Sequence, residues 1–137
     1  MSYILEKSRQ NERAALDLIA VERYASSVHC SFFSVLQLLL YILLVDLGVE
    51  DKTKSLEEVK YHKEVLGTSK HAMARTLVKK KITRTDFRLE FNDLFNDLSE
   101  FRANSDYYNI GINEELARLA ARKTERVKHI LLQESLI

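Results

Sequence analysis

The segment Val28–Leu47, VHCSFFSVLQLLLYILLVDL, decides the fold, because its side chains are apolar in nearly every direction around a helix. A helix of this kind must be covered either by lipid or by other helices. Gln37 and Asp46 interrupt the apolar run, no cluster of Lys or Arg flanks it, and the chain has no Trp, all unlike a membrane span of about 20 residues. Serines also make the preceding turn and the first half polar: Ser26, Ser27, Ser31 and Ser34. We therefore expect the segment to be the buried centre of a helical bundle, with no membrane contact.

Length and composition favour one helical domain over residues 1–137. The chain contains no Pro and only 3 Gly, so few residues interrupt a helix. Cys30 is the single cysteine, which excludes an intrachain disulfide. The first residues lack the pattern of a signal peptide. We expect a cytoplasmic protein, and a net charge of +1 indicates no particular class of partner.

Apolar spacing predicts helices on both sides of the central segment. A helix over Ser2–Glu22 precedes it with almost no linker, so the two should pack antiparallel. Ser55–Glu58 matches a capping box, and Gly67–Ser69 interrupts the segment that follows it, so we expect either a kink or a short helix followed by another from about Ser69 to Lys80.

The last third of the chain has the clearest helical pattern. Asn113 is a suitable N-cap for a final helix. The apolar face before it consists of Phe87, Phe91, Leu94, Phe95, Leu98 and Phe101, and the face after it of Leu116, Leu119, Ala120, Val127, Ile130 and Leu131. The fold predicted from these segments is all-α, an up-and-down bundle of four main helices with an additional short helix.

Arg102 places a charge on the apolar side of a helix. It follows Leu98 by four residues and Phe95 by seven, and these spacings put all three side chains on one face. An unpaired buried charge is costly. Asp106, one turn later, is the nearest partner for an ion pair.

The segment Leu94–Leu131, LFNDLSEFRANSDYYNIGINEELARLAARKTERVKHIL, resembles the small prokaryotic members of the HEPN family (higher eukaryotes and prokaryotes nucleotide-binding). Those proteins have a helix that ends in Arg, an Asp-Tyr pair, a short loop and an acidic start to a final helix. The paired aromatics Phe32-Phe33 and the run Thr68-Ser69-Lys70-His71 resemble earlier family motifs, and the likeness extends from about Ala14 onward.

The resemblance implies an up-and-down bundle, assembled as a homodimer, that binds RNA or nucleotides. It also implies a toxin–antitoxin or defence setting, with a nucleotidyltransferase-type protein as partner. The cleft for binding or dimerisation would be formed by Arg102, Asn104, Asp106, Tyr107 and Tyr108.

The ribonucleases of this family carry a His that is separated from the Arg by four to six intervening residues, and this chain does not. Tyr107, Tyr108 and Asn109 occupy those positions. The His assists proton transfer, and Tyr, with a reference pKa near 10, is a poor replacement at neutral pH. We therefore expect no imidazole beside Arg102 and a non-catalytic interaction module.

Three alternatives stay open from the sequence. His71 or His129 could supply the missing imidazole in space, which would give a metal-independent endoribonuclease. Modification of Tyr107 or Tyr108 could regulate a toxin or antitoxin partner. Arg102 could contact a ligand or RNA phosphate without cleaving it.

A basic segment, Lys70–Arg88, is the other candidate for contact with RNA. It carries seven cations against Asp86 alone, and its densest part is Lys79, Lys80, Lys81 and Arg84. Such runs are solvated surface, a phosphate-binding patch or a contact for an acidic protein. In the binding hypothesis, the lysines flank the Arg102 cleft.

No cofactor or metal is expected. The sequence has no paired-Cys or HExxH spacing and no glycine-rich phosphate loop. His29 and Cys30 are adjacent, so on a helix their side chains diverge, and we expect Cys30 to be a buried thiol.

Overall fold

The computed structural model describes residues 3–46, 70–108 and 111–137, which form five α-helices and one π-helical turn. The elements are α1 (Tyr3–Ala20), α2 (Tyr24–Asp46), α3 (Lys70–Lys81), α4 (Thr85–Ala103), the π-helical turn (Asn104–Tyr108) and α5 (Glu114–Gln133). No strand occurs in these ranges, and the predicted all-α bundle is confirmed. The predicted capping box at Ser55–Glu58 and the break at Gly67 lie outside the described residues.

Helix α2 is the centre of the bundle, and all four other helices contact it. Phe32, Val35 and Leu39 on α2 have no exposed surface. By length and composition α2 could cross a membrane, since its most apolar window has a mean hydropathy of 2.1, but 67% of that window is buried inside the bundle. The prediction of a central helix covered by its neighbours is confirmed.

The tight connection between α1 and α2 has a defined cause. The Arg23 N–H donates to the Leu18 carbonyl at 2.8 Å, and the Glu22 N–H donates to the Ile19 carbonyl at 3.0 Å. Glu22 has a φ of 61°. These two bonds around a left-handed residue form a Schellman motif, which ends α1 and reverses the chain.

Two serines of the α1–α2 pair donate hydrogen bonds to backbone carbonyls of the neighbouring helix, whereas the buried Ser31 hydroxyl has no partner among the described residues. The Ser27 hydroxyl donates to the Ala15 carbonyl, and the Ser8 hydroxyl of α1 donates to the Ser34 carbonyl, both at 2.7 Å. Buried polar groups are tolerated when they are hydrogen-bonded. Ser27 and Ser34 of the polar first half of α2 therefore face α1.

Helix α5 buries four of its six predicted positions, Ala120, Val127, Ile130 and Leu131, and differs from the prediction in its first half. The Asn113 cap is confirmed, because its side chain accepts from the Leu116 N–H at 2.9 Å. Leu116 and Leu119, however, are only partly buried, whereas Ala117 has no exposed surface. The buried positions of α5 are Ala117, Ala120, Thr124, Val127, Ile130 and Leu131. Small side chains in its first half allow a close approach that the leucines would prevent.

Helix α4 runs from one end of the bundle to the other. Arg84 precedes its first residue and Arg102 lies in its last turn, about 27 Å away at 1.5 Å per residue. At the Arg84 end, backbone N–H groups of Arg84 and Thr83 donate to the Glu134 carboxylate at 3.0 and 3.1 Å, and these bonds lower the pKa of Glu134.

The start of α5 lies at the other end of the bundle, the end that contains Arg102. The Tyr24 hydroxyl donates to the Glu114 carboxylate at 3.4 Å, so the first residues of α2 and α5 meet there. The end of α4 and its π-helical turn also pack against α2.

Candidate functional site

The π-helical turn after α4 forms the predicted ion pair between Arg102 and Asp106. Arg102 Nε lies 3.3 Å from Asp106 Oδ2, and the two side chains are only 18% and 23% exposed. The Nε atom is buried and has no well-aligned hydrogen-bond acceptor among the described residues. The pair is therefore a contact of charges rather than a saturated hydrogen bond, and π-helical turns are rare elements that frequently mark functional sites.

Aromatic rings surround the Arg102 guanidinium. Its central carbon lies 5.3 Å from the ring centroid of Phe32, 5.6 Å from that of Phe33 and 5.5 Å from that of Tyr107. These distances are in the range of cation–π attraction. Phe32 is fully buried, whereas Tyr107 is 68% exposed, so the rings connect the core to the surface.

His29 is the unexpected member of the site. Its Nδ1 lies 3.0 Å from Asp106 Oδ2, the same oxygen that Arg102 contacts. Its ring packs on Phe33 with centroids 4.6 Å apart, and its side chain is 46% exposed. The expectation that no imidazole lies near Arg102 is therefore wrong, because the start of α2 meets the end of α4.

A cavity of about 400 Å³ opens beside the cluster. It is lined by Ala25, Ser26, His29, Cys30, Ser105 and Asp106. Cys30 is half-buried rather than fully buried as expected, and burial raises the pKa of its thiol. A thiol that stays protonated is a weak nucleophile, and His29 and Asp106 are the other titratable side chains that line this cavity.

The two histidines considered from the sequence have different positions. The His71 ring packs edge-on against Phe32 and Phe33, with centroids 5.4 and 6.2 Å apart, and so lies in the neighbourhood of the site. His129 follows Glu114 by 15 residues on α5, about 22 Å along the helix. The hypothesis that His129 supplies an imidazole to Arg102 is therefore wrong.

The basic segment does not flank the cleft. Helices α3 and α4 run antiparallel, so Lys79, Lys80 and Lys81 lie beside the start of α4, at the end opposite Arg102. Lys81 forms an ion pair with Asp46, the last residue of α2. The prediction that these lysines and Arg102 form one surface is wrong, because sequence order does not show which helix ends meet.

Other charges of this basic segment are also compensated. The Arg84 guanidinium bonds Asp86, with Nε 3.0 Å from Oδ1, and lies 3.8 Å over the Phe87 ring. This bond lowers the pKa of Asp86. Arg84 is therefore committed to a local ion pair.

The remaining predicted cleft residues have modest roles. The Asn104 backbone N–H donates to the carbonyls of Glu100 and Phe101, which continues α4 into the π-helical turn. Tyr108 ends that turn, and its side chain lies outside the described residues. Across residues 3–46, 70–108 and 111–137, no group of three His, Cys, Asp or Glu side chains could hold a metal ion.

Sequence reasoning missed His29, although a signal was present. His29, Phe32 and Phe33 have the spacing of neighbours on one helix face. If α2 and α4 are assumed to pack against each other, this face of α2, including His29, lies on the same surface as Arg102.

No family model, curated protein or solved structure matches this chain. The geometry of the site is therefore the basis for a functional hypothesis, with the HEPN resemblance as its second support.

Proposed function

We propose that this chain is a HEPN-like, non-catalytic module that binds RNA or a nucleotide at the Arg102 end of its bundle. The observation that carries this proposal is the Arg102–Asp106–His29 cluster beside a cavity of about 400 Å³. A homodimer, a cytoplasmic location without a membrane span, and a nucleotidyltransferase-type partner in a toxin–antitoxin or defence system belong to the same proposal through the family resemblance.

The side chains of the site suit a nucleotide in two ways. A guanidinium is the side chain best matched to phosphate oxygens. The rings of His29 and Tyr107 are exposed by 46% and 68%, and exposed rings are the surfaces on which unpaired bases stack. His29 and Asp106 line the cavity, and Asp106 also contacts Arg102.

A specific contact favours metal-independent endoribonuclease activity as a second candidate. A carboxylate that accepts from the Nδ1–H of His29 leaves Nε2 as the basic atom of the ring. In that reaction Nε2 takes the proton of a ribose 2′-OH, the 2′-oxygen attacks phosphorus, and the bond from phosphorus to the 5′-oxygen breaks as that oxygen takes a proton from water. The products are a 2′,3′-cyclic phosphate and a 5′-hydroxyl end, and His29 replaces the His71 and His129 considered from the sequence.

Incubation of end-labelled single-stranded RNA with the purified protein, without metal and at both about pH 5.5 and about pH 8, separates the two candidates. We expect RNA to be retained and not cleaved, and retention to weaken as salt increases, because phosphate contacts release counterions. The Arg102→Ala variant should lose retention, and Arg118→Ala should keep it. Arg118 is a matched control, since its Nε also pairs with a carboxylate one turn away, Glu114, at 3.4 Å.

Other outcomes of this incubation have defined meanings. Cleavage that is lost in both Arg102→Ala and His29→Gln, but kept in Arg118→Ala, would establish the ribonuclease. Neither retention nor cleavage by the folded wild-type protein would overturn both candidates and favour a protein partner.

A further inference from the structure

A single carboxylate oxygen serves two basic groups in this site. Asp106 Oδ2 lies 3.3 Å from Arg102 Nε and 3.0 Å from His29 Nδ1. The guanidinium is always charged, whereas an imidazole gains or loses its charge between about pH 5 and pH 8. The charge of the cluster therefore depends on His29.

With His29 neutral, the cluster has no net charge. Arg102 contributes +1 and Asp106 contributes −1, so an approaching phosphate meets a guanidinium that is already neutralised, beside a carboxylate that repels it. Phosphate must then compete with Asp106 for Arg102.

With His29 protonated, the cluster has a net charge of +1. The imidazolium donates a charge-assisted hydrogen bond to Asp106, which is a stronger bond than that of a neutral ring. Asp106 is then compensated by His29, and the imperfectly aligned contact of Arg102 Nε is the weaker of its two interactions. The guanidinium is then held less strongly by Asp106, and because Nε is buried an anion would reach it through its terminal nitrogens.

We propose that the Arg102–Asp106–His29 cluster is an acid-gated phosphate site, which holds a phosphodiester of single-stranded RNA when His29 is protonated and releases it when His29 is neutral. This inference rests on the proposed function, because it assigns the ligand chemistry and the control of that same site.

The other titratable groups around His29 define the controls. On α3, His71 packs across Phe33 from His29 and is a second imidazole in the same region. On α2, Cys30 lines the same cavity, and burial raises the pKa of its thiol. The π-helical turn contributes Tyr107 beside Asp106 and α4 contributes Arg102, while at the start of α5 the charges of Glu114 and Arg118 pair with each other.

The test measures the affinity for a labelled oligouridylate of about six nucleotides, within the site sizes of single-strand binders. Its diester charges do not titrate between about pH 5.5 and about pH 8, where imidazole does. We expect wild-type affinity to be on the order of tenfold higher at the acid pH, from the added unit of charge. His71→Gln and His129→Gln should keep this dependence.

Two variants at the cluster make the expectation specific. His29→Gln should bind weakly at both pH values, because the ring that compensates Asp106 is gone. Asp106→Asn should bind tightly at both, because Arg102 has lost its competing carboxylate. Circular dichroism would check that each variant is folded.

The contradicting results are distinct from those that would overturn the proposed function. Binding that needs Arg102 but has the same pH dependence in His29→Gln as in the wild type would overturn the gate and leave the binding site standing. Asp106→Asn binding as weakly as the wild type at the higher pH would also overturn the gate. No oligouridylate binding by the wild type or by Asp106→Asn, at either pH, would overturn both.

Discussion

Replacing Phe32 with Ala is expected to lower the free energy of unfolding by about 3–5 kcal/mol, the usual cost of removing a buried aromatic ring. Phe32 is fully buried, and its ring lies 5.7 Å from that of Phe95 and 5.4 Å from those of Phe33 and His71. The ring also lies under the Arg102 guanidinium. Its loss removes a core contact from several helices at once.

Urea unfolding of the wild type and the variant measures this effect. The whole free energy of unfolding of a domain is about 5–15 kcal/mol, so the change should be visible as a large shift of the midpoint. Leu89→Ala is the control, because Leu89 is 61% exposed on the outer face of α4 and should cost little. Equal costs for the two variants would contradict the burial of α2.

Replacing Arg102 with Ala is expected to weaken the binding of single-stranded RNA by about 10–100-fold. Hydrogen bonds that involve a charged group contribute about 1.5–3 kcal/mol, and about 1.4 kcal/mol corresponds to a factor of ten. The reason for a large effect is the setting of the Arg102 side chain, which is only 18% exposed and whose guanidinium is held between rings, so its geometry is fixed before a ligand arrives.

Fluorescence anisotropy with labelled oligouridylate at about pH 5.5, where imidazole is protonated, measures this change. Arg118→Ala removes the same charge from the same end of the bundle, but its guanidinium is 54% exposed. We expect Arg118→Ala to weaken RNA binding only slightly, because it removes only the non-specific attraction of one exposed charge for the RNA. Equal losses in both variants would indicate that the RNA responds to net charge alone.

The architecture could be predicted because it follows from local patterns. An all-round apolar segment needs neighbours, and the spacing of Phe87, Phe91 and Phe95 defines a face without knowledge of the partner helix. The Asn113 cap likewise depends on residues within one turn. Most of the α5 face was also predicted, but the burial of Ala117 in place of Leu116 was not, because it depends on how α5 packs against other helices.

The contacts of the site likewise fall into two groups: those between residues close in sequence, which could be predicted, and those between distant residues, which could not. The Arg102–Asp106 pair is one turn apart on the chain and was predicted from spacing. His29 is 77 residues from Asp106, so its contact exists only after α2 and α4 have packed. The lysines at 79–81 were assigned to the wrong end for the related reason that their position depends on helix direction, which spacing within one helix does not show.

The most direct test of the Arg102 site is to locate the bound RNA on the wild-type protein. Backbone amide NMR shifts, followed while oligouridylate is added at about pH 5.5, report each end of α4 separately. We expect the largest shift changes at residues 25–33 and 101–107, around the Arg102–Asp106–His29 cluster. Changes confined to residues 79–88, at the basic end of the bundle, would contradict the assignment of this site.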